Sequence, residues 1–388
     1  MGIAPDLSVA STGYQPVLSA LIEQRVGPQA VEIDRSGAFP RDAVQALGDA
    51  GFLGLISAPQ VGGGGEPLAA AAHVIEALAT RCASTALVVL MHYSAVPVIE
   101  AHGGQDIRRA IARGDHLSSL AFAEAGSRSH FWAPLGTAQA GEGDTVQLDA
   151  RKSWVTSAGH AHSYVWSSRP LAGDGAMTLW LVPSNAAGLR VAGKFDGLGM
   201  RGNASSPVAA AGVVVPADAR LGDDGAGLDI ALTTALPNFL VLSAALSLGI
   251  MEALVAEAGA HLARSRLQHL DQTLAQQPVS REAFARLRIR TDGVRAFLLD
   301  TLAALSTGRD DARLRVLEVK VVAAEAAAEV ADGVLRLCGG TAFRKELSVE
   351  RLFRDALAAR VMAPTSDTLH DFIGRSCLGL PMFDPAGR

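Results

Sequence analysis

The spacing of hydrophobic residues changes twice along the chain, and each change marks a different kind of secondary structure. Up to about residue 117, apolar side chains recur every three or four positions, which predicts amphipathic helices at 17–25, 40–50 and 68–79. From about residue 223 the same spacing returns in longer segments, at 228–260, 280–306 and 310–338. Segments of several turns each suit an antiparallel helical bundle.

Between these helical regions lie short runs rich in Val, Trp and Thr, which Gly, Asp and Asn separate. The runs are at 145–149, 153–156, 164–168, 177–183, 188–191 and 208–215. Short apolar runs between turn residues predict the strands of a compact antiparallel sheet. We therefore expect an α+β fold with an N-terminal helical domain (1–117), a middle β domain (118–222) and a C-terminal helical bundle (223–388).

Composition narrows the class of protein. The 388 residues are 49% hydrophobic and 19% charged, which is enough to bury a large core in two or three lobes. The net charge of -5 argues against a nucleic-acid partner. Cys82, Cys338 and Cys377 form no CxxC pair, so we expect neither a disulfide framework nor a metal site. We see no secretory signal pattern and no convincing membrane span, so we expect a cytoplasmic protein.

Residues 62–65 form a run of four glycines, which has two interpretations. A phosphate-binding loop needs a following Lys-Ser or Lys-Thr and the start of a helix, and neither follows here. We therefore interpret the run as a flexible connection between helices.

Four local motifs resemble those of the acyl-CoA dehydrogenase superfamily and occur in that family's order. Residues 122–130 (FAEAGSRSH) are similar to its TEPGAGSD loop, and 152–158 (KSWVTSA) to its KxWITNG strand. Residues 199–205 (GMRGNAS) are similar to GxRxSxT, and 337–356 (LCGGTAFRKELSVERLFRDA) to LGGNGFxxEYPVExLxRDA without a gap. Four motifs in order over the whole chain make the resemblance specific.

This resemblance implies a helical–β–helical fold ending in a four-helix bundle, assembled as a homotetramer or dimer. It implies a flavin-dependent oxidoreductase with one FAD per subunit, FMN being less favoured. Its motifs place Phe122, Trp154 and Thr156 at the flavin and Ser129 beside phosphate oxygens of flavin or substrate. Further matches to FAD contacts, some of them reaching from a neighbouring subunit, are Arg266, Gly339, Gly340, Thr365 and Asp367.

Several of these residues also have a purely structural interpretation. A Trp on a strand is usually a core residue, and two consecutive glycines after a helix are usually its C-cap. We interpret Glu350, Arg354 and Asp355, at the end of the fourth motif, as a solvated or ion-paired helix face rather than as ligands.

The chain departs from the family where proton abstraction takes place. The position of the family's usual catalytic Glu, counted from the RDA motif, is Ala363, and the alternative position in some members is Phe239. Neither side chain can abstract a proton. The Arg that family members use near CoA matches Leu240, and the flavin-facing Thr matches Ala123.

Three histidines are candidates to replace the missing base, because a His exchanges protons near neutral pH. They are His92 in the N-terminal helices, His130 in the first motif and His370 after the last one. For each of these histidines taken alone, the commoner role is structural, as a hydrogen-bonded polar residue at a helix surface.

Three functions follow, in order of preference. The first is a monooxygenase that takes reduced flavin from a partner reductase and needs no proton-abstracting base. The second is an acyl-thioester dehydrogenase with a relocated base, Asp367 or His370. The third is a non-redox lyase or a binding subunit. Phe131, Phe239, Leu240 and Met362 would line an apolar pocket for a neutral small molecule or a carrier-attached substrate.

Overall fold

The computed structural model describes residues 13–127, 130–345 and 347–383, and its N-terminal part is helical. The helices are α1 (Gln15–Leu21, continued as a π-helix over Ile22–Val26), α2 (Ala30–Ser36), α3 (Arg41–Asp49), α4 (Leu68–Ala79), α5 (Ala83–His102) and α6 (Gln105–Ala112). The helix predicted at 68–79 has the same bounds as α4. Helix α5 is buried on nearly every side, so its apolar residues show no helical period in the sequence.

The middle of the chain forms two sheets that face each other. Their strands are β1 (Ser118–Ala121), β2 (Thr137–Ala140), β3 (Thr145–Val155), β4 (Ser163–Ser168), β5 (Thr178–Pro183), β6 (Leu189–Val191) and β7 (Ser206–Pro216). One sheet has the order β1-β4-β5 and the other β2-β3-β7-β6. Trp166 and Trp180 are fully buried in the apolar core of this region.

Two details of the sheets differ from the sequence prediction. The runs at 145–149 and 153–156 belong to one strand, β3, whose pairing with β7 is interrupted by shifts of register. Strand β1 was not predicted, and it pairs with β4 in parallel, whereas the other pairs are antiparallel. A parallel pair needs a long crossover connection, and the 41 residues from Phe122 to His162 provide one.

The C-terminal part is a bundle of long helices. Its elements are α7 (Gly227–Ile230), a π-helix (Ala231–Ala235), α8 (Leu236–Arg264), a hairpin of β8 (Arg266–Leu267) and β9 (Gln272–Thr273), α9 (Pro278–Thr307), α10 (Ala312–Cys338), α11 (Val349–Ala356), α12 (Ala358–Val361) and α13 (Ser366–Cys377). Helix α10 packs against α8, α9, α11 and α13. The α+β class and the order of helices, sheets and bundle are therefore confirmed.

The two helical parts share one hydrophobic core, which contains residues of α4, α5, α8 and α10. Helix α4 lies directly on α8, and Gly249 makes the approach possible: a Cβ there would be 2.2 Å from the carbonyl oxygen of Glu76. The glycine run at 62–65 also packs closely on backbone, since a Cβ on Gly63 would lie 2.3 Å from the carbonyl oxygen of Ser57. The glycine run is therefore a connection between helices, as expected from the sequence, but it is tightly packed where a flexible one was expected.

Two helical segments, Ala83–His102 and Gly227–Arg264, are long and apolar enough to cross a membrane by length and composition. More than four-fifths of the most apolar window of each is buried inside the protein. Core helices of globular proteins have the same composition. We therefore interpret both as core helices.

Candidate active site

A cavity of about 770 Å³ lies where the three parts of the chain meet. It is lined by α5, the segment 120–126, the end of β3, the loop 195–205, the π-helix with α8, and the segment 354–364. A cavity of this size between domains is a typical site for a cofactor and a small substrate.

The β domain contributes an aromatic surface and a pair of hydroxyl groups to the cavity. Trp154 lines it and is 67% exposed, which is unusual for so large an apolar side chain. Two residues on, Thr156 is buried, and its Oγ1 lies 2.9 Å from Oγ of Ser205 across the cavity lining. A flat aromatic face beside hydroxyl groups suits a conjugated ring with hydrogen-bonding edges, so these residues fit the isoalloxazine of FAD.

The helices contribute an apolar lining. Leu87 and Met91 lie one turn apart on α5, and Ala231 and Ala235 lie four positions apart on the π-helix. Phe239 follows on α8. The two alanines leave room where larger side chains would fill the space, and none of these five side chains carries a polar group other than the thioether of Met91.

Only two ionisable side chains among the described residues line the cavity, and the first is Glu124. Its Oε1 accepts a hydrogen bond of 2.5 Å from Nζ of Lys152, and its Oε2 accepts from the backbone N–H groups of Leu135 (2.7 Å) and Gly136 (2.8 Å). Lys152 also donates to the carbonyl oxygen and hydroxyl of Ser167. Burial lowers the pKa of Lys152 to about 8, and the Glu124 carboxylate opposes that shift. This buried pair ties the loop after β1 to β3.

The second ionisable lining residue is Arg354, which is also fully engaged. Its guanidinium makes a bidentate ion pair with Asp34, a second one with Glu350, and a hydrogen bond of 3.0 Å to the carbonyl oxygen of Leu198. Hydrogen bonds to Asp34 raise the pKa of Arg354 further above its usual value. Its charge is therefore compensated before any ligand binds.

The neighbouring carboxylate, Asp355, positions the loop that closes the cavity. It is buried and accepts a hydrogen bond of 2.5 Å from the backbone N–H of Met200, a non-glycine residue with φ of 49°. Burial raises the pKa of Asp355 to about 6. Of the two alternatives expected from the sequence, Glu350 and Arg354 are ion-paired on α11, whereas Asp355 is buried and holds backbone. Arg354 and Asp355 together hold the 198–200 segment in place.

Several sequence-predicted site residues meet in this one cavity. Its lining includes Phe122, Phe131, Trp154, Thr156, Phe239 and Met362. Ala123 and Ala363, which the motif resemblance matches to a Thr and to the usual Glu of the family, also line it. The position predicted for the base therefore lines the cavity, but it carries only a methyl group.

The three histidines do not line the cavity. His92 is fully buried on α5, and both of its ring nitrogens bond to backbone groups of Leu53 and Ser118. His130 is exposed and packs on Trp132, with the ring centroids 4.8 Å apart. His370 is exposed on α13. The structure thus gives none of them access to a ligand in this cavity, because one is enclosed and two face outward.

Leu240 does not line the cavity either, which corrects its placement in the pocket. It is fully buried on α8 next to Phe239. Consecutive helical residues point about 100° apart, so Phe239 faces the cavity and Leu240 packs into the core.

The positions matched to other FAD contacts lie on the surface outside the cavity. Arg266 is exposed and pairs with Asp271. Gly339, with φ of 61°, ends α10, and a Cβ on Gly339 or Gly340 would meet open space. Thr365 caps α13 by accepting from the N–H of Thr368, and Asp367 is exposed in the first turn. Ser129 lies outside the described residues. A role for these positions at a subunit interface stays a prediction.

The sequence interpretation missed much of the lining. The loop residues Phe195, Leu198, Met200, Asn203 and Ser205 belong to it, and the third motif, at 199–205, was a usable signal for most of them. For Leu87, Met91, Ala231 and Ala235 there was no such signal, because they lie in segments that are apolar throughout.

Comparison with family models agrees with this architecture. Residues 14–114 match the acyl-CoA dehydrogenase N-terminal domain, 119–213 the middle domain and 225–378 the C-terminal domain.

Individual relatives match over nearly the whole chain. The mitochondrial short-chain specific acyl-CoA dehydrogenase of Homo sapiens is 28% identical over 357 residues, which cover 89% of this chain and 84% of that protein. The structure of butyryl-CoA dehydrogenase from Megasphaera elsdenii is similar with a TM-score of 0.88 and 20% identity, covering 94% of this chain and 97% of that one. The prolyl acyl carrier protein oxidase AnaB is similar with a TM-score of 0.85 and 20% identity, covering 95% and 99%. Identities of 20% show the fold alone.

Proposed function

The chain belongs to the acyl-CoA dehydrogenase family of flavin-dependent oxidoreductases, and we propose that it is a monooxygenase that uses reduced FAD and O₂. The observation that carries the proposal is the absence of an available base: among the described residues, the cavity is lined by no ionisable group that is free to take a proton.

Dehydrogenation of an acyl thioester needs a carboxylate that removes a proton while a hydride leaves for the flavin. Ala363 and Phe239 occupy the two positions where relatives place it. Glu124 is the one carboxylate in the described lining, and it already accepts three hydrogen bonds. Its protonation would leave the ammonium of Lys152 buried without a counter-charge, which costs several kcal/mol, roughly 3–5. Oxygen insertion avoids this requirement.

FAD fits the cavity through the indole of Trp154, the hydroxyls of Thr156 and Ser205, and Phe122. When bound and reduced, it supplies the two electrons that, with two protons, release one atom of O₂ as water while the other is inserted into the substrate. The protein's own contribution is to hold substrate and ring together and to exclude water, which the apolar lining on α5 and the π-helix favours.

The lining also indicates the class of substrate. Since the charge of Arg354 is already compensated by Asp34 and Glu350, the described part of the cavity has no free cation for an anionic group. A neutral, mostly apolar substrate fits best, either a small molecule or a group attached to a carrier. A similar fold serves the prolyl acyl carrier protein oxidase, which supports a carrier-attached substrate.

We further propose a cytoplasmic homo-oligomer, a tetramer or dimer, that receives reduced FAD from a separate flavin reductase. Loose binding is expected because Ala123 replaces the flavin-facing Thr of relatives. Purification without added flavin should therefore yield less than one FAD per chain. A fully yellow, stoichiometric product would contradict the exchange of flavin with a reductase.

The proposal is tested by loading the protein with FAD, reducing it without oxygen and mixing it with oxygenated buffer in a stopped-flow spectrometer. A monooxygenase gives a long-lived species whose absorbance matches neither reduced nor oxidised FAD, and free FAD under the same conditions provides the control. Direct return to oxidised FAD, together with anaerobic bleaching of the oxidised protein by acyl-CoA thioesters, would establish the dehydrogenase instead. If neither response occurs, the remaining candidates are a lyase and a binding subunit.

A further inference from the structure

Lys320 is a buried lysine that lies behind the wall of the cavity. It is on α10, is 1% exposed and is not itself part of the lining. Its Nζ donates hydrogen bonds to the carbonyl oxygens of Met362 (2.6 Å) and Pro364 (2.5 Å), and it lies 5.9 Å from the ring centroid of Phe239. Met362, Pro364 and Phe239 all line the cavity.

This arrangement is costly for folding alone. An ammonium group loses its hydration on burial, and among the described residues Lys320 pairs with carbonyl oxygens and not with a carboxylate that would offset that loss. Burial lowers its pKa to about 7, so its charge is only weakly held at neutral pH. An apolar side chain of similar length would avoid the buried charge, but it would leave the carbonyl oxygens of Met362 and Pro364 without this donor. The favourable interactions of Lys320 are therefore concentrated on the segment whose carbonyl oxygens it holds.

The two hydrogen bonds of Lys320 indicate its role. The carbonyls it holds flank Ala363, so the segment 362–364 is fastened at two points to α10, which packs against α8, α9, α11 and α13. We propose that Lys320 is a positioning residue that fixes the 362–364 segment as a rigid wall against which the substrate and flavin are held. The proposal rests on the cavity being the reaction site and not on which reaction takes place there.

The test compares Lys320→Met with the wild type and with the control Lys345→Met, which removes an exposed lysine. Hydrogen exchange of the peptide covering 358–365 should become about tenfold faster or more in K320M, because the two hydrogen bonds from Lys320 to this segment are lost. The melting temperature should change little, because removal of the buried charge offsets the loss of a donor for two carbonyl oxygens. The visible circular dichroism of bound FAD should change. K345M should resemble the wild type in all three measurements.

A purely structural lysine would give the opposite pattern. In that case K320M would lower the melting temperature and speed exchange evenly along α10, with unchanged circular dichroism of the flavin. Unchanged exchange at 358–365 would also overturn the proposal. If K320M does not fold, Lys320→Gln replaces it, since the amide keeps N–H donors and should give intermediate exchange. Exchange is measured without turnover, so a wild type that fails the oxygen test would refute the monooxygenase and leave this result standing.

Discussion

The histidine buried at the junction of the helical and β domains should make the protein sensitive to mild acid. His92 has no exposed surface; its Nε2 lies 2.9 Å from the carbonyl oxygen of Leu53, and its Nδ1 accepts a 3.1 Å hydrogen bond from the N–H of Ser118. These partners suit the neutral imidazole, which donates from Nε2 and accepts at Nδ1. Burial lowers the pKa of His92 from 6.5 to about 4.

The sign and size of the effect follow from these two pKa values. Between pH 6.5 and 4 the unfolded chain binds a proton at His92 and the folded chain does not. Stability is therefore present above this window and is lost as the pH falls through it. Relative to pH 7, the loss from His92 is about 2 kcal/mol at pH 5. It levels off below pH 4 at about 3 kcal/mol.

The assay is urea unfolding of the wild type and of His92→Gln at pH 7 and pH 5. Glutamine keeps an N–H donor for Leu53 but cannot take up a proton, so the wild type should lose about 2 kcal/mol more than H92Q between the two pH values. Asp355, whose raised pKa of about 6 acts in the opposite direction, is present in both proteins and cancels in the comparison. His370→Gln, an exposed position, is the matched control and should behave as the wild type. An equal loss in H92Q and the wild type would refute the reasoning.

Three further outcomes concern the cavity and the loop beside it. Ala363→Glu places a carboxylate on the wall, so butyryl-CoA should bleach oxidised FAD anaerobically in A363E but not in the wild type or in Ala358→Glu, another lining position; no bleaching would mean that more than the base is missing. Trp154→Ala removes the exposed indole and should weaken FAD binding about tenfold in a fluorescence titration; an unchanged Kd would place the flavin elsewhere. Lys152→Met leaves the Glu124 carboxylate buried and unpaired, and it should lower the free energy of unfolding in urea by about 3 kcal/mol. Adding Glu124→Gln to this variant should restore most of that stability. An equal loss in the single and the double variant would mean that the two residues are not coupled.

Much of the fold and the β side of the site could be predicted from sequence because both depend on local pattern. Helix α4 follows from apolar spacing alone, and Trp154 and Thr156 follow from a motif on one strand. The motif count from Arg354 matches the usual Glu to Ala363, and Ala363 lines the cavity. In contrast, α5 and the π-helix over Ala231–Ala235 carry no period that distinguishes a lining face from a core face.

The sequence by itself determined the order of helices, sheets and bundle, and its motifs predicted Ala363 and Phe239 at the two positions where relatives carry the base. Only the tertiary structure decided which charged groups are available for chemistry. Lys152 meets Glu124 from 28 positions away, Arg354 meets Asp34 from 320 positions away, and His92 is enclosed by backbone groups of two other segments. Apolar spacing acts within a turn or a strand, whereas pairing and burial of charge depend on which distant segments pack together. The motifs therefore indicate a flavoprotein from sequence alone. Only the folded structure indicates that the described part of its cavity offers no free base.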